Sequence, residues 1–264
     1  MNILIVNDDG IDSEGISLLA QTLSEKHNVF TVAPDRNRSA VSNGATMFSP
    51  MKIKKIKEAV WTCSGLPADC TSVGLTSGLL KDKLKGEKID AVLSGINYGA
   101  NLGTDIIFSG TCGGAREAVL YGVPGIALSI DPLDWEKVKE TGFKFKPMCD
   151  FVNKNLEKLV SLCNVTGEGD KPRTFINVNA PNLDEYRGVK FTSKACTRYY
   201  SDTLSLEKTA DGDEFESHLV FGVNRTTCKT DGDYDLVQKG FVAVSAVVVD
   251  PVYSDSVDGI EFSV

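Results

Sequence analysis

Histidine is almost missing from this chain: among 264 residues there are two, His27 and His218. That scarcity argues against a histidine-based nucleophile or general base. Cysteine is present seven times, an odd number, and never as Cys-x-x-Cys. Neither a disulfide framework nor a zinc site fits that pattern, so reduced, mostly buried thiols are expected. No apolar run approaches the roughly 20 residues of a membrane-spanning helix. The first apolar run is short and has no basic segment before it, unlike a secretory signal, so a cytoplasmic protein is expected. Positive charge is also in short supply, with 28 Lys and Arg against 36 Asp and Glu and a net charge of -8. A broad face for a nucleic-acid polymer is therefore not expected. A small anionic ligand remains compatible where a metal ion supplies local positive charge. The one basic cluster, Lys52, Lys54, Lys55 and Lys57, reads as an exposed strand face.

What is present begins at the first ten residues. Ile3 to Val6 form a short apolar run, read as a strand buried on both faces. It ends in Asn7-Asp8-Asp9-Gly10. Two adjacent carboxylates repel unless a cation lies between them, and the C-terminal end of a strand is where open α/β sheets place ligands. A metal site is expected there.

The following segments alternate. Ile16, Leu19, Ala20 and Leu23 make one apolar helix face, with Asp12 or Ser13 as cap. Strands are expected over residues 28–33, 89–93, 125–130 and 175–178. Helices are expected over 69–84 and 115–121, and a long one within 135–162. This alternation implies an α/β fold, a Rossmann-like, mostly parallel sheet with helices on both faces. From about residue 191 the chain turns polar and patchy, with a turn signal at Asp211-Gly212, before an apolar run over 241–249. The expected organisation is a single domain of residues 1–264. Its core covers about 1–190, a C-terminal α+β or hairpin extension about 191–240, and a final strand and tail 241–264.

Four polar clusters follow strands and converge on one sheet edge. They are Asn7 to Gly10, Asp35 to Ser39, Ser94 to Asn101, and Ser109-Gly110-Thr111. Each alone is ordinary loop chemistry; four at one edge make a site. Carboxylates, a serine hydroxyl and an asparagine carbonyl are hard oxygen donors suited to Mg²⁺ or Mn²⁺. Ser109-Gly110-Thr111 ahead of a helix suits a phosphate, through hydroxyls, free N–H groups and the helix dipole. Arg116 either reaches that phosphate or joins Glu117 on a solvated helix face. Tyr98 either stacks on a ligand's base or packs against its loop.

These clusters, in order and spacing from Met1 to about Ile130, resemble the survival protein SurE family, with a weaker match from Thr230-Asp231 to Val242. The resemblance implies a divalent-metal-dependent 5'-nucleotidase, a hydrolase acting on nucleoside 5'-monophosphates, and to some extent on 3'-nucleotides and short polyphosphate, by metal-assisted attack of water. It carries the metal-ligand role to Asp8, Asp9, Ser39 and Asn97, with one Mg²⁺ or Mn²⁺ per subunit. Asp8, Asp9 and Asn97 are the expected catalytic residues; Asn101, Ser109, Gly110 and Thr111 are the expected phosphate contacts. It further implies a homodimer or homotetramer that exchanges its C-terminal extension. Cys112 departs from the family pattern, where a small aliphatic residue is expected; it is read as a buried substitute or, at a helix N-terminus, a reactive thiol. The alternative function is a non-catalytic, Mg-dependent nucleotide-binding or sensing protein. A phosphoaspartate mechanism is disfavoured because adjacent aspartates point to opposite sides of an extended chain.

Overall fold

The computed structural model describes residues 1–169, 171–209, 214–220 and 222–252. The strands are β1 (Asn2–Val6), β2 (Asn28–Pro34), β3 (Ile53–Lys57), β4 (Val60–Cys63), β5 (Ala91–Tyr98), β6 (Gly125–Asp131), β7 (Thr174–Pro181), β8 (Val189–Phe191), β9 (Thr197–Tyr200), β10 (Thr203–Lys208), β11 (Phe215–Val220), β12 (Val223–Thr227) and β13 (Val242–Val248). The helices are α1 (Glu14–Ser24), α2 (Pro67–Thr76), α3 (Lys81–Leu84), α4 (Gly110–Leu120), α5 (Trp135–Thr141), α6 (Phe145–Ser161) and α7 (Asp233–Gln238), with a 3-10 turn over Gly103–Ile107. None is long and apolar enough, among the described residues, to cross a membrane.

Nine strands form one sheet in the order β3-β4-β2-β1-β5-β6-β7-β13-β8. The six from β4 to β7 run parallel; β3 and β13 run antiparallel to their neighbours β4 and β7. From β1 the chain builds outward first through β2 and β4, then returns to β5 on the other side of β1 and proceeds through β6 and β7. The direction of winding therefore reverses between β1 and β5, the switch point at which doubly wound sheets open a crevice.

The double burial expected of β1 is realised. Ile3 and Ile5 join Leu19, Leu93, Phe145 and Val152 under α1 and α6, while Leu4 and Val6 join Val32, Val73, Val92 and Ala118 under α2 and α4. Successive strand side chains alternate faces, so an unbroken apolar run is what a two-sided core requires.

The helix expected over 69–84 is broken, and the long helix expected within 135–162 is α6, preceded by the short α5. The 69–84 segment stops at Thr76 and resumes as α3, with Gly78 between them at φ +78°. The 135–162 segment divides at Gly142, φ +75°. A left-handed glycine ends a helix without the Cβ clash that other residues meet, and apolar periodicity on both sides conceals the break. In the first segment Val73 and Leu80 are buried, while Leu79 and Leu84 pack at the margin of the core. In the second, Leu156 and Leu159 are buried and Phe151 and Val160 flank them.

After β8 the chain leaves the sheet as two antiparallel pairs, β9 with β12 and β10 with β11. It then returns through α7 to β13, between β7 and β8. All six residues of β10 and all six of β11 are exposed. Asp211-Gly212 lie outside the described residues.

Candidate active site

The first two polar clusters follow the ends of β1 and β2, the third runs through the end of β5, and the fourth follows the 3-10 turn and opens α4. Asn7 closes β1 by folding its side chain into the turn: its amide donates to the Gly10 carbonyl (2.8 Å) and to the Ser13 hydroxyl (2.9 Å), and its oxygen accepts from the Gly10 N–H (3.2 Å). Ser13 stands at the N-cap of α1 without capping it, because its hydroxyl is engaged with Asn7. This bracing presents Asp8 and Asp9 in opposite directions.

Asp8 points toward α4. The Thr111 hydroxyl donates to its Oδ1 at 2.5 Å, and its backbone carbonyl accepts from the Arg38 N–H at 2.6 Å, which ties the Asp35 to Ser39 loop to β1. Asp9 points toward β5, where its Oδ2 accepts from the Tyr98 N–H at 3.3 Å. Among the described residues neither carboxylate has a Lys, Arg or His ion-pair partner. Burial pushes both carboxyl groups above the ordinary carboxylate range; that of Asp9, with Asp8 beside it as a second cause, reaches about 7. Asp8 is buried and Asp9 half-buried; two such adjacent carboxylates with no counter-cation call for a proton or a metal ion.

A cavity of about 270 Å³ opens at this edge, and Asp8, Ser39, Asn97, Asn101 and Ser109 all line it. Ser39 reaches it from the exposed loop after β2, where its N–H is held by Asn37 Oδ1 at 2.9 Å. Asn97 is the penultimate residue of β5, its amide donating to the Gly99 carbonyl at 2.8 Å, so its side-chain oxygen is left as the donor atom for a ligand. β5 continues five residues past the expected strand end, to Tyr98, and carries Asn97 with it.

Asn101 is held on three sides. Its N–H donates to Asn179 Oδ1 (2.8 Å), its carbonyl accepts from the amides of Asn177 (2.8 Å) and Asn179 (3.1 Å), and its own amide donates to the Ser129 hydroxyl (2.7 Å). These three supports lie on β6 and β7 and were not foreseen from the sequence. The available signal was Asn177 and Asn179 at period two inside an apolar strand, which marks one polar position after another on a single buried face.

Helix α4 starts at Gly110, five residues earlier than its apolar periodicity suggests, because Ser109 caps it: the Ser109 hydroxyl oxygen accepts from the Cys112 N–H at 3.0 Å. The N–H groups of Gly110 and Thr111 occupy the first helical turn, where no carbonyl lies one turn back within the helix. Gly110 is required by proximity. A Cβ there would lie 2.9 Å from Asp8 Cβ and 3.0 Å from Asp8 Oδ2.

Four further expectations are settled here. Arg116 does not approach the site: its guanidinium lies over the Phe175 ring, 5.4 Å from the centroid, while Glu117 accepts from Ser72 Oγ at 3.0 Å. Cys112 is fully buried and its thiol is pushed up to about 12 by desolvation, which makes it the inert substitute and not a reactive thiol. The Tyr98 ring packs edge-on against Phe143 and Phe145, with centroids 5.1 and 5.0 Å away, and so stabilises its own loop. His27 sits at the opposite end of β1, 3.5 Å from the N-terminal amine, and His218 is exposed on β11. Among the described residues no group of three or more His, Cys, Asp and Glu forms a metal cluster. A cation at this edge would meet two carboxylates supplemented by neutral oxygens, a set that suits a hard divalent ion.

The family model described as survival protein SurE matches residues 3–201. The chain belongs to this family. It is 34% identical over 254 residues to the 5'-nucleotidase SurE of Pseudothermotoga lettingae, an alignment covering 94% of this chain and 89% of that protein. It is 40% identical over 190 residues to the 5'-nucleotidase SurE of Treponema pallidum, covering 70% and 93%. The crystal structure of the SurE protein from Aquifex aeolicus superposes with a TM-score of 0.74 at 32% identity, covering 98% of this chain and 97% of that one. The α/β fold expected from the alternating pattern is the fold of the family.

Proposed function

We propose that this chain is a divalent-metal-dependent phosphatase that hydrolyses nucleoside 5'-monophosphates to nucleoside and phosphate. The observation that carries the reading is the adjacent pair of buried Asp8 and half-buried Asp9, without an ion-pair partner among the described residues, placed at the switch point beside the N-terminus of α4. The relatives described as 5'-nucleotidase SurE support the same activity.

Asp8, Asp9, Ser39 and Asn97 hold one Mg²⁺ or Mn²⁺ ion per subunit, their oxygens matching the preference of either ion. A divalent ion bound there supplies Lewis-acid polarisation of the phosphate and lowers the pKa of a bound water. Ser109 offers its hydroxyl proton to a phosphate oxygen while its own oxygen caps α4. The Gly110 and Thr111 N–H groups serve the same anion, and Asn101, held in place by β6 and β7, closes the seat. The Thr111 hydroxyl, donated to Asp8, orients that carboxylate toward the cavity. Catalysis then consists of positioning and charge neutralisation. The single domain divides into a core of about residues 1–190, an extension of about 191–240 and a terminal strand and tail. The extension mediates a homodimer or homotetramer, a role supported by exposed Leu204, Leu206, Phe215 and Val220 on β10 and β11.

Release of phosphate from AMP in Mn²⁺ or Mg²⁺, abolished by EDTA and restored by added metal, is the test. AMP binding in Mn²⁺ without turnover overturns the reading in favour of a sensor. Sedimentation of the intact chain against a variant lacking residues 203–220 tests the oligomer.

A further inference from the structure

We infer that Phe108 and Tyr200 form the wall against which the base of the nucleotide stacks, and that this wall reads a base by the area of its face. The inference rests on the preceding reading for the position of the phosphate. The cavity that contains Asp8, Asn97 and Ser109 is also lined by the apolar and aromatic Ala40, Phe108, Tyr200 and Val223, and by Tyr98 and Asp105. Such a cavity suits a ligand with a charged end and a planar apolar end. Phe108 directly precedes Ser109, so the apolar wall begins one residue from the phosphate seat.

Phe108 is 43% exposed although it is a large aromatic, which leaves its ring available to a ligand. Tyr200 meets it edge to face, with centroids 5.5 Å apart and planes at 86°. The Tyr200 ring is fixed from behind. Its hydroxyl donates to Asp105 Oδ1 at 2.8 Å, and Asp105 is ion-paired with Arg198 Nε at 2.6 Å. The Arg198 N–H donates to Thr104 Oγ1 at 3.0 Å, and the Asp233 carboxylate accepts from both Gly103 N–H (2.7 Å) and Cys196 N–H (2.8 Å). These bonds lace residues 196–200 onto the 3-10 turn that carries Asp105 and leads into Phe108. On the β9–β12 ladder Val223 stands opposite Tyr200 and extends the wall.

Asp105 also lines the cavity, but its Oδ1 accepts from the Tyr200 hydroxyl and its Oδ2 pairs with Arg198, and Phe108, Val223 and Ala40 carry no side-chain polar group. The wall therefore presents ring and methyl surface to a base and little that discriminates its hydrogen-bonding edge. Every base has a π-face, and stacking on an aromatic side chain is worth about 1–3 kcal/mol per base, or roughly 5- to 100-fold in affinity. Purine monophosphates should be favoured over pyrimidine monophosphates, with weak discrimination within each class.

The experiment compares AMP, CMP and ribose 5-phosphate in Mn²⁺, by calorimetric binding and by kcat and KM, for the wild type and four variants of the full chain. Phe108→Leu and Tyr200→Leu keep apolar bulk and remove the ring; Phe108→Tyr and Tyr200→Phe keep the ring. The expected result is a rise of about 5- to 100-fold in Kd and KM for AMP in the leucine variants, a smaller rise for CMP, and ribose 5-phosphate unchanged within about twofold. The ring-preserving variants should retain the preference for AMP over ribose 5-phosphate. The proposal is overturned if the wild type takes AMP no better than ribose 5-phosphate, or if the leucine variants weaken both esters alike. Preferential AMP binding through these rings without phosphate release would sink the hydrolase reading and leave this one standing. Equal turnover of both esters would do the reverse.

Discussion

Thr111 donates its hydroxyl proton to Asp8 across 2.5 Å, joining the first turn of α4 to the end of β1 through two residues 103 positions apart. The bond is fully buried on the Thr111 side and opposes the desolvation that pushes the Asp8 carboxyl up. It favours the ionised form of a carboxylate that must bind a cation. Thr111→Val preserves shape and removes the donor. A hydrogen bond to a charged group is worth about 1.5–3 kcal/mol, so Mn²⁺ affinity should fall by roughly 10- to 100-fold, with Thr111→Ser close to wild type. Calorimetric metal titration of the two variants checks this; equal affinities would show that the bond does not support Asp8.

Gly110 carries an opposed pair of effects. Alanine is favoured over glycine inside a helix by about 1 kcal/mol, yet a Cβ at this position would press against Asp8 and lie 3.1 Å from Pro67 Cγ. Gly110→Ala should therefore change thermal stability by only about 1 kcal/mol in either direction while lowering kcat/KM for AMP by at least about tenfold through displacement of Asp8. A thermal melt beside a rate measurement separates the two, and undiminished turnover would refute the steric account.

The Asp9 carboxyl, raised to about 7, makes the metal-free protein sensitive to pH. In the folded state it keeps its proton up to about 7, whereas in the unfolded chain it loses it in the ordinary carboxylate range. Between those limits the folded state binds more protons, so stability falls as pH rises. Urea denaturation in EDTA should show greater stability at pH 5 than at pH 8, with a smaller difference for Asp9→Asn. Because ligands must be deprotonated, Mn²⁺ should bind more tightly as pH rises through 7. A pH difference as large in Asp9→Asn as in the wild type would assign the effect elsewhere.

Asn179 is 1% exposed and satisfies both the N–H and the carbonyl of Asn101. Asn179→Ala leaves the buried Asn101 N–H without its partner, at a cost of about 1–3 kcal/mol, while the carbonyl keeps the Asn177 amide. The expected outcome is a lowered denaturation midpoint together with a raised KM for AMP, as Asn101 loses its position. A stability loss with unchanged KM would separate Asn101 from the phosphate seat.

The layered α/β architecture was legible because apolar periodicity reports burial directly: Ile3 to Val6 had to face two helical layers, and Ile16, Leu19 and Leu23 had to face one. The carboxylate pair was legible for an equally local reason, since two adjacent charges after a buried strand are expensive without a cation. Gly78 and Gly142 were less legible, because a helix break depends on one dihedral and not on the pattern around it. The Asn101 supports on β6 and β7, and the pairing of Asp105 with Arg198 and Tyr200, left almost no trace in the sequence: their partners lie 28 to 95 residues apart.

Local chemistry along the chain was thus enough to specify the main strands and helices of the α/β core, and that the polar clusters of Asp8, Asp9, Ser39, Asn97 and Ser109-Gly110-Thr111 gather near the ends of its elements. Tertiary structure alone decided how those groups are used: Thr111 on Asp8 instead of facing open solvent, Tyr98 in an aromatic cluster, Arg116 over Phe175, and Tyr200 beside Phe108. Periodicity is a property of neighbours in sequence, but hydrogen-bond direction and ring orientation depend on which distant side chains arrive at the same place, and only the packed sheet brings them there.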